Sequence, residues 1–396
     1  MSSEAIFIHT ADWQLGKPFA SVADYEKRTQ LSQQRIEAIH RLGEFATAHQ
    51  AKFVLVAGDL FDTQSPKKQL VSAACKAIGD LQIPVYAIPG NHDYYGIESI
   101  WQQEFFLREQ KQLAPNFHLL TESTPTPVPY AWLFPCPLLR RQTSSDPTNW
   151  LRTFAIDEFL THNPDADQLP WIILAHGSTQ GFESSQDDED STTASPNQID
   201  LDRLPSQFDY VGLGDWHGMK CINDRAWYSG THESDRFPKN EEYQSGYSLL
   251  VNARRRQAPV VTSLPTGKLR WHRIDFHFRD DDSLSNLQHQ IQTCTAGRVG
   301  SDLVRLELTG TLGLAATQQL EELIETWNSR LLRVKNYNYT QIATTENELN
   351  ELAYRQDPLI ARVAQRLNEL RLTNSEQAAI ANVALRQLFQ LCRSLS

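Results

Sequence analysis

Val85-Tyr86-Ala87-Ile88-Pro89-Gly90-Asn91-His92-Asp93 is a short apolar run that ends in a turn and then in three residues able to donate oxygen or nitrogen to a ligand. Four other stretches repeat the pattern. Ile6-Phe7-Ile8 precedes Asp12-Trp13-Gln14, and Phe53 to Ala57 precedes Gly58-Asp59-Leu60-Phe61-Asp62. Trp171 to Leu174 precedes His176-Gly177, and Tyr210-Val211 precedes Gly214-Asp215-Trp216-His217. Continuous apolar runs of this length read as parallel strands buried on both faces. Ligands of open α/β sheets gather beyond the carboxyl ends of such strands. Oxygen and imidazole donors delivered there by five separate strands imply a metal site.

The segments between these clusters fit the same frame. A helix is expected from Tyr25 to His49, with Leu31, Ile39, Leu42, Phe45 and Ala46 on one stripe. A second is expected from Pro66, a favourable first-turn proline, to about Leu81. Strand and helix therefore alternate over the first hundred residues, which implies an α/β fold with a parallel core. Residues 128–138 and 150–160 read as a further strand and helix. A Ser-, Asp- and Thr-rich insertion from Ser178 to about Leu204 reads as a mobile surface loop. After the fifth cluster, strands at 226–229, 246–252, 259–264 and 269–278 suggest a second, antiparallel-rich sheet. Asp280-Asp281-Asp282 marks a boundary, beyond which 303–312, 315–332 and 333–343 read as strand, helix, strand. The tail is helical: Asp357-Pro358 signals a start, and Thr373-x-x-Glu376 has capping-box spacing. The expected domains are 1–279, a small α+β unit at 283–344 and a helical segment at 346–396 that could bind a partner or pair two copies.

The five clusters resemble the motifs of the calcineurin-like metallophosphoesterases. Gly-Asp-Leu-Phe-Asp at 58–62, Pro-Gly-Asn-His-Asp at 89–93 and Tyr228-Ser229-Gly230-Thr231 are most similar to the DNA-repair exonuclease branch, typified by SbcD subunits. The likeness spans about residues 5 to 278. It implies a four-layer sandwich of two mixed β-sheets flanked by helices, with an added capping domain. It also implies a two-metal centre in which Asp59 bridges both ions. Asp12, Gln14 and His217 would join Asp59 at one ion; Asn91, His176 and Asp215 would join it at the other. His92 would face the scissile phosphate, Asp93 would orient its imidazole, and Asp62 would lie on the attacking side. His232 and Arg236, in the polar loop after the fifth cluster, are candidates to approach substrate. Two positions depart from the usual motifs: Gln14 and Asp215 stand where histidines are normal. Exchanging two imidazoles for oxygen donors moves the site towards Mn²⁺, with Mg²⁺ as the alternative, and away from zinc.

The chain has 396 residues, 40% of them hydrophobic, enough for a large packed domain and a smaller one. Its five cysteines are scattered without a Cys-x-x-Cys, no stretch approaches a membrane span, and no signal peptide precedes the first strand. A reducing cytoplasm and no membrane attachment are expected. The net charge of −11 fits poorly with strong independent DNA binding, which rests on Lys and Arg neutralising phosphates. Part of the acidity lies in Asp187 to Asp190. The branch resemblance implies DNA as substrate, an SbcC-like coiled-coil ATPase as partner and a homodimer. No Gly-x-x-x-x-Gly-Lys-Ser/Thr loop occurs, so ATP hydrolysis would come from that partner. The expected activity is Mn²⁺-dependent DNA cleavage, exonucleolytic, with endonucleolytic cleavage left open beside it. Two other readings stay open: a small-molecule phosphodiesterase or phosphatase, and a scaffold subunit whose metal site has decayed at positions 14 and 215.

Overall fold

The computed structural model describes residues 4–179, 197–238, 240, 243–342, 358–372 and 376–394. The strands in the first half are β1 (Glu4–Thr10), β2 (Val54–Ala57), β3 (Val85–Ile88), β4 (Phe117–Leu119), β5 (Thr126–Val128), β6 (Ala131–Cys136), β7 (Trp171–His176) and β8 (Ser178–Thr179). They continue as β9 (Gln198–Ile199), β10 (Tyr210–Gly214), β11 (Lys220–Cys221), β12 (Ala226–Tyr228), β13 (Tyr247–Arg254) and β14 (Val260–Pro265). The last are β15 (Arg270–Phe278), β16 (Asp302–Leu312), β17 (Arg333–Asn338) and β18 (Gln341–Ile342). The helices are α1 (Tyr25–Ala48), α2 (Lys68–Asp80), α3 (Glu104–Leu113), α4 (Ile156–His162), α5 (Ser283–Thr295), α6 (Leu314–Arg330), α7 (Pro358–Arg371) and α8 (Glu376–Ser394).

The chain divides into two compact units, Met1–Leu269 and Arg270–Ser396. In the first, one six-stranded sheet runs β14-β13-β1-β2-β3-β4 and a second runs β11-β12-β10-β7-β6-β5. Strands β1 to β4 are parallel, as are β12, β10, β7 and β6. Successive residues of β1 and β2 serve different layers. Phe7, Phe53 and Leu55 join Leu133, Ile172, Leu174 and Tyr210 in a core shared by the two sheets. Ile8, Val54 and Val56 point the other way, to Ile39 and Leu42 of α1 and Ala74 and Ile78 of α2. On the far side of the second sheet, Phe134, Trp171 and Ile173 pack against Phe159 of α4. Burial on both faces explains why these strands read as unbroken apolar runs. The two mixed sheets flanked by helices are the architecture expected from the five clusters.

Helix α1 begins at Asp24, whose carboxylate accepts from the backbone N–H groups of Glu26 and Lys27. Its buried stripe includes Leu31, Ile39, Leu42 and, unexpectedly, Arg35.

The strands after the fifth cluster do not build one sheet. β12 extends the second sheet in parallel beside β10, whereas β13 pairs antiparallel with β1 and carries β14 on its other edge. The strand expected at 269–278 leaves both sheets: β15 pairs in parallel with β16 from Arg270↔Asp302 to Phe278↔Gly310. Its inward residues Ile274 and Phe278 pack with Leu287 and Ile291 of α5 and Leu320 of α6, so an apolar layer of the second unit claims it. Helix α5 was not legible from periodicity. In the same unit Leu314 packs with Ala364 of α7 and Leu385 of α8. Most of the insertion between the fourth and fifth clusters, the Asp187–Asp190 run, Asp357 and Thr373 lie outside the described residues.

Candidate metal centre

The loops leaving β1 and β2 are stitched together by a continuation of their ladder. Asp12 N–H donates to Gly58 O at 3.1 Å, Gln14 N–H to Asp59 O at 2.8 Å, Leu15 N–H to Leu60 O at 2.9 Å and Asp62 N–H to Leu15 O at 3.0 Å. These bonds hold Asp12, Gln14 and Asp59 at φ of 52°, 37° and 55°, and Asp215 sits at 105°. Non-glycine residues adopt this region rarely and only when their surroundings enforce it. Arg35 enforces it from below: Nε donates to Trp13 O at 2.7 Å, Nη2 to Asp12 O at 3.0 Å and Nη1 to Glu233 O at 3.0 Å. Gly58 and Gly90 allow the loops to close. A Cβ on Gly58 would stand 2.3 Å from His176 Nδ1, and one on Gly90 would stand 2.1 Å from Asp59 Oδ1.

This closure brings Asp12, Asp59 and His176 together, with one donor atom of each within 4.8 Å of the others and all three buried. His176 Nδ1 donates to Ala57 O at 2.7 Å, which leaves Nε2 towards the acceptors: Asn91 Oδ1 at 2.7 Å, Asp59 Oδ1 at 3.6 Å and Asp215 Oδ1 at 3.9 Å. Burial alone would lower the imidazole pKa, but Asp59, Asp12 and Asp215 overcome it and lift it to about 9. Asp12 is pushed up to about 8, by burial first and then by Asp59 and Asp215, against the pull of His176. Asp215 N–H donates to Asp12 Oδ1 at 3.1 Å, and Ser178 Oγ donates to Asp215 Oδ2 at 2.6 Å. Two buried carboxylates and an imidazole, with the partly buried Asp215 carboxylate beside them, are a donor set that a divalent cation fits, because such charge needs a compensating ion.

Gln14 and His217 do not join this trio. Gln14 Nε2 lies 3.1 Å from His217 Nε2, and Gln14 Oε1 accepts from Lys17 Nζ at 3.1 Å. His217 Nδ1 lies 2.9 Å from Asp235 Oδ2. Burial foremost, then Arg236, brings His217 down to about 3. Among the described residues, His176 is the imidazole that lies with Asp12 and Asp59.

His92 sits at the border of the trio with one third of its side chain exposed, its Nε2 4.0 Å from Asp59 Oδ2. Its backbone N–H donates to Asp59 Oδ1 at 2.9 Å, and its Nδ1 faces Asp62 O at 2.9 Å. Burial would lower its pKa, but the Asp59 charge and the Asp62 carbonyl raise it above the usual value. Asp93 does not orient this ring, as the sequence suggests it should. Its carboxylate is spent on the N–H groups of Gly90 at 2.8 Å and Phe61 at 3.0 Å, and the partner of the imidazole is the Asp62 backbone. The Asp62 carboxyl is half-buried and raised, chiefly by burial.

His232 is also corrected. It is fully buried, stacks near Trp13 and donates from Nε2 to Arg35 O at 2.7 Å, so no substrate reaches it. Arg236 is half-exposed and lies against the site, with Nε on Asp235 Oδ1 at 3.2 Å and Nη2 2.9 Å from His217 Nδ1. Residues that the sequence reading missed are Arg35, Lys17, Asp235 and Ser178. Lys17, three residues past Gln14, carried the one legible signal, a cation beside an expected ligand.

The family model for calcineurin-like phosphoesterases matches residues 6–219. The D subunit of the nuclease SbcCD from Staphylococcus epidermidis is 25% identical over 259 residues, which are 61% of this chain and 65% of that protein. The chain thus spans slightly under two thirds of that relative. Among solved structures, TT1561 of Thermus thermophilus aligns over 66% of this chain and 99% of its own, with a TM-score of 0.37 at 13% identity. A dimetal phosphatase from Danio rerio aligns over 65% and 98%, with a TM-score of 0.36 at 13% identity. A sheet sandwich with carboxylates and histidines gathered at its strand ends defines a metal-dependent phosphoesterase. The chain belongs to the calcineurin-like phosphoesterase family.

Proposed function

We propose that this chain is a DNA exonuclease, with endonucleolytic cleavage left open, that hydrolyses phosphodiesters with Mn²⁺, or Mg²⁺ in its place, and works with an SbcC-like coiled-coil ATPase as a homodimer. The observation that carries the reading is the buried Asp12–Asp59–His176 trio with His92 at its border. Similarity to a component of the nuclease SbcCD supports DNA as substrate. Asp12, Asp59 and His176 would hold the cation, with Asn91 and Asp215 beside them. When bound there, it supplies Lewis-acid polarisation of a phosphoryl oxygen and a water of lowered pKa.

The chain's own residues supply the rest. With Nδ1–H donated to the Asp62 carbonyl, His92 carries its second proton on Nε2, at the open side of the site. As water oxygen bonds to phosphorus and the phosphorus–oxygen ester bond breaks, that proton goes to the leaving oxygen, and the proton released by the water passes to solvent, from which His92 is reprotonated. The raised pKa keeps the proton in place to higher pH than an ordinary histidine would.

Arg254, Arg255 and Arg256 carry their own acidic partners, Glu4, Asp209 and Asp167 respectively. A partner that supplies the cationic surface fits both this and the acidic balance. No helix among the described residues is long and apolar enough to cross a membrane. The decisive assay compares wild type, Asp59→Ala and His92→Ala on linear duplex DNA and on bis-p-nitrophenyl phosphate with Mn²⁺. The reading expects Asp59→Ala to lose both activities and His92→Ala to fall by about 10²–10⁴-fold. Turnover of the small ester with DNA left intact would refute the nuclease assignment.

A further inference from the structure

We infer that the centre takes one divalent cation, and that the Lys17 ammonium replaces the charge of a second; this rests on the metallohydrolase reading above. The family layout would place another ion against Gln14 and His217. In this chain those two side chains belong to a closed ring of hydrogen bonds. Lys17 Nζ donates to Gln14 Oε1 at 3.1 Å and to Asp235 Oδ2 at 2.6 Å. The same Asp235 oxygen faces His217 Nδ1 at 2.9 Å, and His217 Nε2 faces Gln14 Nε2 at 3.1 Å.

Donor and acceptor rules set the directions on the Lys17–Gln14 side of the ring. An ammonium has three donors and no acceptor, so it requires the oxygen of Gln14 and sets the amide orientation. Asp235 Oδ2, an acceptor, and Arg236 Nη2, a donor, both lie 2.9 Å from His217 Nδ1, so that side does not set the tautomer; the Gln14 amide N–H aimed at Nε2 does, and it gives Nε2 the lone pair. That lone pair takes the Gln14 amide proton. Both atoms with which a second ion could bind, Gln14 Oε1 and His217 Nε2, are already occupied. Gln14, His217 and Asp235 are buried, and the Lys17 side chain is 22% exposed. A cation entering here would break two bonds of the ring and meet the ammonium at close range. Lys17 has two partners among the described residues, which leaves one N–H for a phosphoryl oxygen.

The replacement of histidine by Gln14 thus accompanies a lysine that holds the glutamine away from metal. Gln14 is a positioning residue and Lys17 an electrostatic substitute, in contrast to the two-ion centre expected from the motifs.

The test counts ions in the metal-free full chain titrated with Mn²⁺, by equilibrium dialysis and by electron paramagnetic resonance. Wild type and Lys17→Arg are expected to bind one Mn²⁺ per chain with the hyperfine pattern of an isolated ion. Lys17→Met combined with Gln14→His is expected to bind two and to show the pattern of a spin-coupled pair. Two coupled ions in wild type would overturn the inference. One ion in the double variant would also overturn it, provided its melting temperature matches wild type; if that variant does not fold, Lys17→Met alone is read, with tighter or additional Mn²⁺ uptake expected and unchanged uptake refuting. One ion with cleavage of bis-p-nitrophenyl phosphate but not of DNA would leave the inference standing and remove the nuclease reading. No bound ion would remove both.

Discussion

Replacing Arg35 by methionine should loosen the metal centre from beneath without touching a ligand. Arg35 is fully buried on α1, and its guanidinium serves three backbone carbonyls, those of Asp12, Trp13 and Glu233, together with Thr231 Oγ1 at 2.9 Å. Methionine keeps the apolar stem and removes every donor. Thr231 Oγ1 lies 2.8 Å from Asp12 O and 3.0 Å from Glu233 O, so its single proton can satisfy one of them. Two buried carbonyls would be left without a partner, at about 1–3 kcal/mol each. Relief from desolvating the guanidinium offsets part of this, giving a net loss of about 3 kcal/mol. That is roughly a hundredfold in the folding equilibrium, since each factor of ten is about 1.4 kcal/mol. Urea unfolding followed by tryptophan fluorescence measures it, and Mn²⁺ affinity measured alongside should fall because Asp12 is no longer held. A loss below about 0.5 kcal/mol with unchanged Mn²⁺ affinity would refute the role given to Arg35.

Gly90→Ala would set a methyl 2.1 Å from Asp59 Oδ1 and 2.5 Å from Asp59 N, so Mn²⁺ binding should be lost while circular dichroism stays near native; wild-type affinity would contradict the packing. Asp93→Asn should cost about 1–3 kcal/mol, because one of two carboxylate oxygens that accept backbone N–H groups becomes a donor. The same variant should leave the pH optimum in place, since Asp93 does not touch His92; a displaced optimum would restore the orienting role. Burial lifts Glu233 from 4.5 to about 6, so the folded chain holds more protons than the unfolded one between those values. Its contribution therefore favours the fold below pH 4.5 and is lost as pH rises through 6, an effect of about 2 kcal/mol. Glu233→Gln should abolish this, and the wild-type minus variant stability measured at about pH 4 and at about pH 7 should differ by that amount; equal values would refute it.

The architecture was legible wherever one element buries two faces. β1, β2, β3, β7 and β10 show as apolar runs because Phe7 and Ile8, or Val54 and Leu55, serve opposite layers. β15 was misassigned because its pattern, with only Ile274 and Phe278 inside, specifies a buried face but not which layer covers it. The ligand candidates could be named because donors after apolar runs fall at one end of a sheet. Their grouping could not, since whether Asp12 meets His176 or His217 depends on left-handed turns at residues 12, 59 and 215. Arg35 was hidden by its position on an otherwise ordinary helix stripe. His232 misled because a histidine in a polar loop gives no hint that Trp13 and the α1 backbone enclose it.

Asp12 and Asp59 hang from the first sheet, while His176 and Asp215 hang from the second. A cation seated among them would rivet the two halves of the sandwich. Since ligand that binds only the native form adds about 2.7 kcal/mol at a hundred times its dissociation constant, metal supply would set how long this chain survives heat or protease. Starving the protein of its ion should then prise open the layer where Phe7 meets Tyr210, well before the helices outside it give way.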